Sequence, residues 1–388
     1  MITSNLKENF WKDISPEAHL ILKCAKLKLT EIEIQEISKL IAQIQDWTLF
    51  EKIALQTKLA SLCFHSLVLK NEMNIPKGTK EFLARVYNKI LAKNIVILKE
   101  FSDLKKILNR AEIPYIPLKG IRLVEEIYKD LGLRHLSDID ILFVPEDSTK
   151  VRALFLEFGY AEYVVDENKW IRKWTKNPSP FQYQKNQNFI DFHIGLNRVG
   201  DVRIDVLDFW KTARKKDNSH EFELNNTYEF VHLCFHCYKH LIKEAQNLIW
   251  LIELQFYYNE KKISWNLFLE LSKKYNCVNE NVAIVSLIEV LQGEKKIIQL
   301  NLSELNSEKT WRCYAHFKNH LIPSKKIKPT KSFSEQIFFE TEHLPKIKRI
   351  FVAIGRLFPS REFLKSRYGK ADNYLFSIIK RYAVYLKR

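Results

Sequence analysis

Ser137-Asp138-Ile139-Asp140-Ile141-Leu142-Phe143-Val144, with Leu118-Lys119-Gly120 ahead of it, is the stretch on which the fold turns. Ile139, Ile141, Leu142, Phe143 and Val144 read as a buried strand, and its two aspartates stand two residues apart. Side chains at i and i+2 of a strand point the same way, so Asp138 and Asp140 share a face. Two carboxylates side by side in an apolar frame are costly unless something positive lies between them. A divalent cation is the usual remedy, and Mg²⁺ takes oxygen ligands of this kind. A third carboxylate, Asp191, sits in Phe189-Ile190-Asp191-Phe192-His193-Ile194, again an apolar run of strand length. An isolated Asp-x-Asp is most often a helix cap or a solvated strand end. Here the apolar frame, the Lys-Gly turn upstream and the second acid-bearing strand point to a site.

Composition narrows the class of protein. The 388 residues allow two or three domains and a large core. An apolar content of 46%, with 9 Gly and 11 Pro, is that of an ordinary globular chain and excludes low-complexity or collagen-like sequence. No apolar run approaches the ~18 residues that cross a bilayer. Met1 to Lys12 is polar and shows no signal-peptide core. The six cysteines are spread too widely for a disulfide scaffold, so the expected compartment is the cytoplasm. The net charge of +16 is uneven: residues 321–388 hold 16 Lys/Arg against 5 Asp/Glu, a balance of +11. Such a segment either attracts a phosphate-rich partner or weakly holds an anionic membrane surface, or is simply a solvated face.

Apolar periodicity divides the chain into four regions, expected as 1–100, 101–200, 201–310 and 311–388. The first is helical, with Leu20, Ile21 and Cys24, then Ile37, Leu40, Ile41 and Ile44, at helical spacing. A helix from Trp47 to Leu69 ends before the break Asn74-Ile75-Pro76-Lys77-Gly78, and a long one runs from Thr79 to Arg110. Ile113-Pro114-Tyr115-Ile116-Pro117-Leu118 suits an edge strand, because proline is confined to such positions. Lys119-Gly120 makes a turn, Ile121 to Tyr128 a short helix, and Leu131 to Leu136 a loop into the acidic strand. A further helix opens at Pro145-Glu146-Asp147 and stops at Gly159. Residues 160–200 read as a meander of two or three strands, and 201–310 as helix again, notably Thr227 to Tyr258. The basic remainder breaks at Leu357-Phe358-Pro359-Ser360 and ends in an amphipathic helix carrying Tyr374, Leu375, Ile378, Ile379, Tyr382 and Leu386. The fold class is α/β (α+β), a small mixed sheet flanked by helical regions.

The chemistry that suits these acids is nucleotidyl transfer. Two Mg²⁺ ions held by Asp138 and Asp140 can orient a nucleoside triphosphate such as ATP and offset charge on its α-phosphate. Asp191 can complete the metal shell and take a proton from an acceptor hydroxyl. Gly120 permits close backbone approach to phosphate, and the following helix offers free N–H groups. Lys119, Arg122 and Arg134 are candidate phosphate partners.

Leu118-Lys119-Gly120, Tyr128, Gly132-Leu133-Arg134 and Ser137-Asp138-Ile139-Asp140-Ile141-Leu142 together resemble the uncharacterised nucleotidyltransferase-like family of the polymerase-β superfamily. Asp46-Trp47, Asn94 to Leu98, Asp191-Phe192-His193, His236 with His240, and Leu357-Phe358-Pro359 with Arg367-Tyr368 also resemble elements of that family. The resemblance implies a polymerase-β-like core and divalent-metal-dependent transfer of a nucleoside monophosphate. It names no acceptor: members look like accessory enzymes of surface-polysaccharide or modified-peptide pathways, so a sugar, a peptide or a protein side chain is implied. Lys119-Gly120 replaces the superfamily's usual Gly-Ser turn. Three other readings use the same site: a non-catalytic nucleotide-binding scaffold, an RNA-modifying nucleotidyltransferase, and a hydroxyl kinase acting at the γ-phosphate.

His232, Cys234, His236, Cys237 and His240 cluster within nine residues. On a helix His236 and His240 share one face while Cys234 and Cys237 point elsewhere, and no second Cys/His pair has zinc-finger spacing. Core packing is the plainer reading, with His236 or His240 reaching phosphate or acceptor as the functional one. Trp170, Trp174, Phe181 and Tyr183 can stack on a base, but core packing of a small sheet explains them as well.

Overall fold

The computed structural model describes residues 14–163, 181–186, 188–199, 202–243, 248–292, 313, 315–318, 321, 346–361 and 363–364. The chain divides into two compact units, each discontinuous in sequence: residues 1–99, 119–136 and 226–327, and residues 100–118, 137–225 and 328–388.

The second unit carries a five-stranded mixed sheet of order β1-β2-β5-β4-β3. Its strands are β1 (Tyr115–Pro117), β2 (Ile139–Phe143), β3 (Ala161–Tyr163), β4 (Phe181–Lys185) and β5 (Asn188–His193). The proline-interrupted strand is at the edge, as its sequence predicts, antiparallel to β2. Its outer side is covered, Tyr115 N donating to the His220 carbonyl at 3.0 Å. β2 and β5 run parallel, pairing Ile139 with Ile190, Asp140 with Asp191 and Ile141 with Phe192. Alternation therefore gives this sheet two unlike faces. One is aromatic and dry: Phe143 stacks on Phe192 at 4.7 Å, and both meet Phe155 of the helix Ser148–Glu157. Tyr183 of β4 packs edge-on to Phe155 at 5.0 Å and is fully buried. Each such pair adds about 0.5–1.5 kcal/mol beyond its area burial. Of the aromatics expected near the site, Tyr183 is thus a core residue, and Trp170 and Trp174 lie outside the described residues. The helix ends where Gly159 turns left-handed, φ 80°.

The first unit is helical. Its helices include Pro16–Cys24, Glu31–Ile41, Trp47–Gln56, most of Lys77–Arg110, Asn226–Lys243, Ile249–Glu260, Trp265–Lys274 and Val278–Gln292. Starts are capped by side chains: Thr30 and Glu33 form a capping box, and Asp46 accepts from Leu49 N at 2.9 Å. The last of these accounts structurally for Asp46-Trp47. Asn94, fully buried in the long helix, grips the loop before the acidic strand: it donates to the carbonyls of Leu131 and Arg134 and accepts from Leu136 N. A satisfied buried amide fixes that loop more firmly than an apolar contact would.

Two sequence expectations change. The helix expected over Trp47–Leu69 breaks after Gln56, because Lys58 adopts a left-handed φ of 62° and Leu59 turns fully inward. A short helix Ala60–Phe64 and a π-helical turn His65–Leu69 follow. The start of 201–310 is not helical throughout: Leu196–Val199 pairs with Val202–Ile204, and Arg214–Lys215 with Phe222–Glu223. The amphipathic segment Tyr374–Leu386 lies outside the described residues.

Candidate active site

The polar face of the sheet carries the acids. Asp140 and Asp191 stand in register on adjacent parallel strands, both nearly buried, at 6% and 8% exposure. His193, two residues beyond Asp191, shares that face, and its Nε2 lies 2.8 Å from Asp140 Oδ1. One ligand atom from each of Asp140, Asp191 and His193 falls within 4.8 Å of the others. Gln182, opposite Asp191 in the β4–β5 pairing, donates from Nε2 to Asp191 Oδ1 at 2.7 Å. Asp138 stands just ahead of β2, half-buried, accepting from Ser137 Oγ at 2.9 Å, and is not part of this group. Two carboxylates and an imidazole at this spacing suit a divalent cation: the oxygens favour Mg²⁺ or Mn²⁺, and the imidazole also admits softer ions. His193 Nε2 either donates its proton to Asp140 or offers its lone pair to an ion, one at a time.

His193 has no role assigned by sequence reasoning. Its signal was the period of two from Asp191, which puts both on one face. Gln182 had none, because only the hairpin register places it.

The other candidates belong to the helical unit. Lys119 opens the helix Lys119–Leu123 with φ 51°, so the lysine, not the glycine, takes the left-handed turn. Gly120 is needed for space: a Cβ there would sit 2.0 Å from Arg134 Nη1. The close approach that Gly120 allows is thus made by the Arg134 guanidinium. Arg134 in turn is bound to the buried Glu253 through Nε, and Nη2 donates to Glu253 Oε2 at 3.4 Å. Arg122 is engaged likewise, with Glu126 at 2.7 Å and Glu229 at 2.9 Å. Burial opposes its charge, but Glu229 and Glu126 outweigh this and push the Arg122 pKa up. Burial also works against ionising Glu126, yet Arg122 and Lys261 hold its carboxyl below the ordinary range. Arg122 thus links two helices of its unit, and Arg134 ties the loop before the acidic strand to the helix Ile249–Glu260.

His236 and Lys119 line a small recess with Leu123, Trp250, Glu253 and Leu254. The His236 and His240 rings lie 4.4 Å apart, and His240 stacks near Trp250 at 4.3 Å. Burial, then the Lys119 charge, push the His236 pKa well down, so its imidazole is neutral. Cys234 and Cys237 are buried free thiols on the same helix.

Residues 43–293 match the profile of the family described as uncharacterised nucleotidyltransferase. The chain belongs to that family. The matched span covers every candidate site residue and the whole five-stranded sheet, which is compatible with a nucleotidyltransferase core. Membership supports nucleotidyl transfer as the class of chemistry, with a nucleotide as substrate. No curated protein and no solved structure matches the chain. Among the described residues, no helix is long and apolar enough to cross a membrane.

Proposed function

We propose that the protein moves a nucleoside monophosphate from a nucleoside triphosphate to a hydroxyl on a sugar, peptide or protein. The observation that carries this is the buried pairing of Asp140 with Asp191 on parallel strands, with His193 beside them, in a chain of this family. Asp140 and Asp191 would hold Mg²⁺, with His193 or Asp138 completing the ligand set. The ion, when bound, neutralises charge on the triphosphate and lowers the barrier at the α-phosphorus. The acceptor oxygen forms a bond to that phosphorus, the bond to the bridging oxygen of the β-phosphate breaks, and pyrophosphate leaves. Asp191, held in place by Gln182, takes the acceptor proton. Lys119 enters as a phosphate contact on its place in the Leu118-Lys119-Gly120 motif, while Arg122 and Arg134 bind carboxylates of their own unit.

The test supplies each nucleoside triphosphate, labelled at the α- or γ-phosphate, with Mg²⁺ and fractionated sugar, peptide and protein acceptors. Transfer of the α-label with pyrophosphate release, lost in Asp140→Asn and Asp191→Asn, is expected. Transfer of the γ-label with release of a nucleoside diphosphate would replace the proposal with a kinase, and undiminished activity in either variant would end it.

A further inference from the structure

Residues Lys346–Leu357 form a helix of the sequence KIKRIFVAIGRL, beyond the span matched by the family. It is strongly two-sided yet has little net hydrophobicity. Ile347, Ile350 and Ile354 are 67%, 59% and 46% exposed, and Phe351, Leu357 and the following Phe358 are also exposed. With about 100° per residue, Ile347, Ile350, Phe351, Ile354 and Leu357 fall within an arc of about 120°. Val352, about 140° round from Ile347, is fully buried. The helix therefore rests on the side that holds Val352 and turns its isoleucine stripe to solvent. Six large apolar side chains in one contiguous exposed patch mark an interaction surface.

Charge decides what it meets. The twelve residues contain Lys346, Lys348, Arg349 and Arg356 and no acid, within a segment (321–388) of balance +11. A second copy of the chain would bring like charges against like. A nucleic acid would match the charge but leave the isoleucines in water. An anionic lipid surface satisfies both: apolar side chains enter the boundary below the headgroups while Lys346 and Lys348, at the helix positions that flank the stripe, meet the lipid phosphates. We propose that Lys346–Phe358 lies in the plane of an anionic membrane surface and holds the protein there. This does not depend on the nucleotidyl-transfer reading, and its failure would leave that reading untouched.

The experiment is flotation of the full-length protein with vesicles of phosphatidylcholine alone or mixed with phosphatidylglycerol. Wild type should float with the mixed vesicles only. Ile350→Ser/Ile354→Ser keeps every charge and alters only exposed positions, so its melting temperature should be unchanged while vesicle affinity falls at least about ten-fold. Phe351→Trp should show quenching by brominated acyl chains. Equal flotation of wild type and the double serine variant, without quenching, would mean adsorption by charge alone and overturn the proposal. So would absence of flotation with the mixed vesicles; a dimer that the serine variant dissolves would then mark the stripe as a contact between copies.

Discussion

Gly120→Ala tests the reasoning about the helical unit most sharply, because helix propensity and packing predict opposite signs. Gly120 lies in a helix and its φ is not left-handed, so alanine meets no backbone objection and should gain up to about 1 kcal/mol. The new Cβ, however, would lie 2.0 Å from Arg134 Nη1 and 2.4 Å from its Cζ. Arg134 cannot yield without leaving Glu253, and both are buried, at 7% and 5% exposure. Stranding a buried carboxylate costs about 3–5 kcal/mol, so packing wins. At about 2–4 °C per kcal/mol for a unit of this size, the melting temperature should fall by roughly 10 °C. A double-mutant cycle separates the causes. Arg134→Ala alone should cost about 3–5 kcal/mol by leaving Glu253 unpaired. Gly120→Ala on top of it should then be neutral or stabilising by up to about 1 kcal/mol. Differential scanning fluorimetry, followed by urea denaturation, reads all four proteins. If Gly120→Ala cost the same in both backgrounds, the glycine would not be there for the guanidinium.

Lys119→Gly should be more stable than Lys119→Ala by about 1 kcal/mol in urea denaturation, because both lose the side chain and only glycine accepts φ 51° without penalty. Its nucleotide affinity should nonetheless fall, and a variant that bound nucleotide like wild type would remove Lys119 from the site. Burial, then Lys93 and Lys58, lower the His135 pKa to about 4. A histidine depressed in the folded state stabilises above its ordinary value of about 6.5 and loses that contribution as pH falls towards 4. His236 acts in the same direction, so melting temperatures should drop across that window, and His135→Gln should flatten the drop. All six cysteines are free and buried, and burial pushes Cys277 and Cys313 up to about 12. A disulfide-exchange reagent should therefore label the native protein slowly and six thiols in denaturant; rapid native labelling would contradict their burial.

What could be read from residues alone followed local periodicity. Asp140 and Asp191 announce themselves because a carboxylate in an apolar, strand-length run is costly to bury without a positive partner, and Pro114 and Pro117 place β1 at the edge. The long helix is legible in its spacing, and it runs from Lys77 to Arg110. Illegible features depend on partners distant in sequence. Nothing near Arg134 reveals Glu253, so its guanidinium resembles a phosphate ligand until the fold is seen. Gly120 looks like a turn glycine, although Lys119 makes the turn. The break at Lys58 is hidden because Leu55, Leu59 and Leu62 continue a helical rhythm across it. His193 was within reach of the period-two rule, yet its meaning emerges only beside Asp140.

The measurement that bears most directly on the proposed chemistry needs no acceptor. It is thermal unfolding with each nucleoside triphosphate, with and without Mg²⁺, in wild type, Asp140→Asn and Asp191→Asn. A ligand at about 100 times its dissociation constant stabilises by about 2.7 kcal/mol, enough for a clear shift. A shift for at least one nucleotide that requires Mg²⁺ and both aspartates is the predicted result. An equal shift in the asparagine variants, or none with any nucleotide, would contradict a metal–nucleotide site at Asp140 and Asp191.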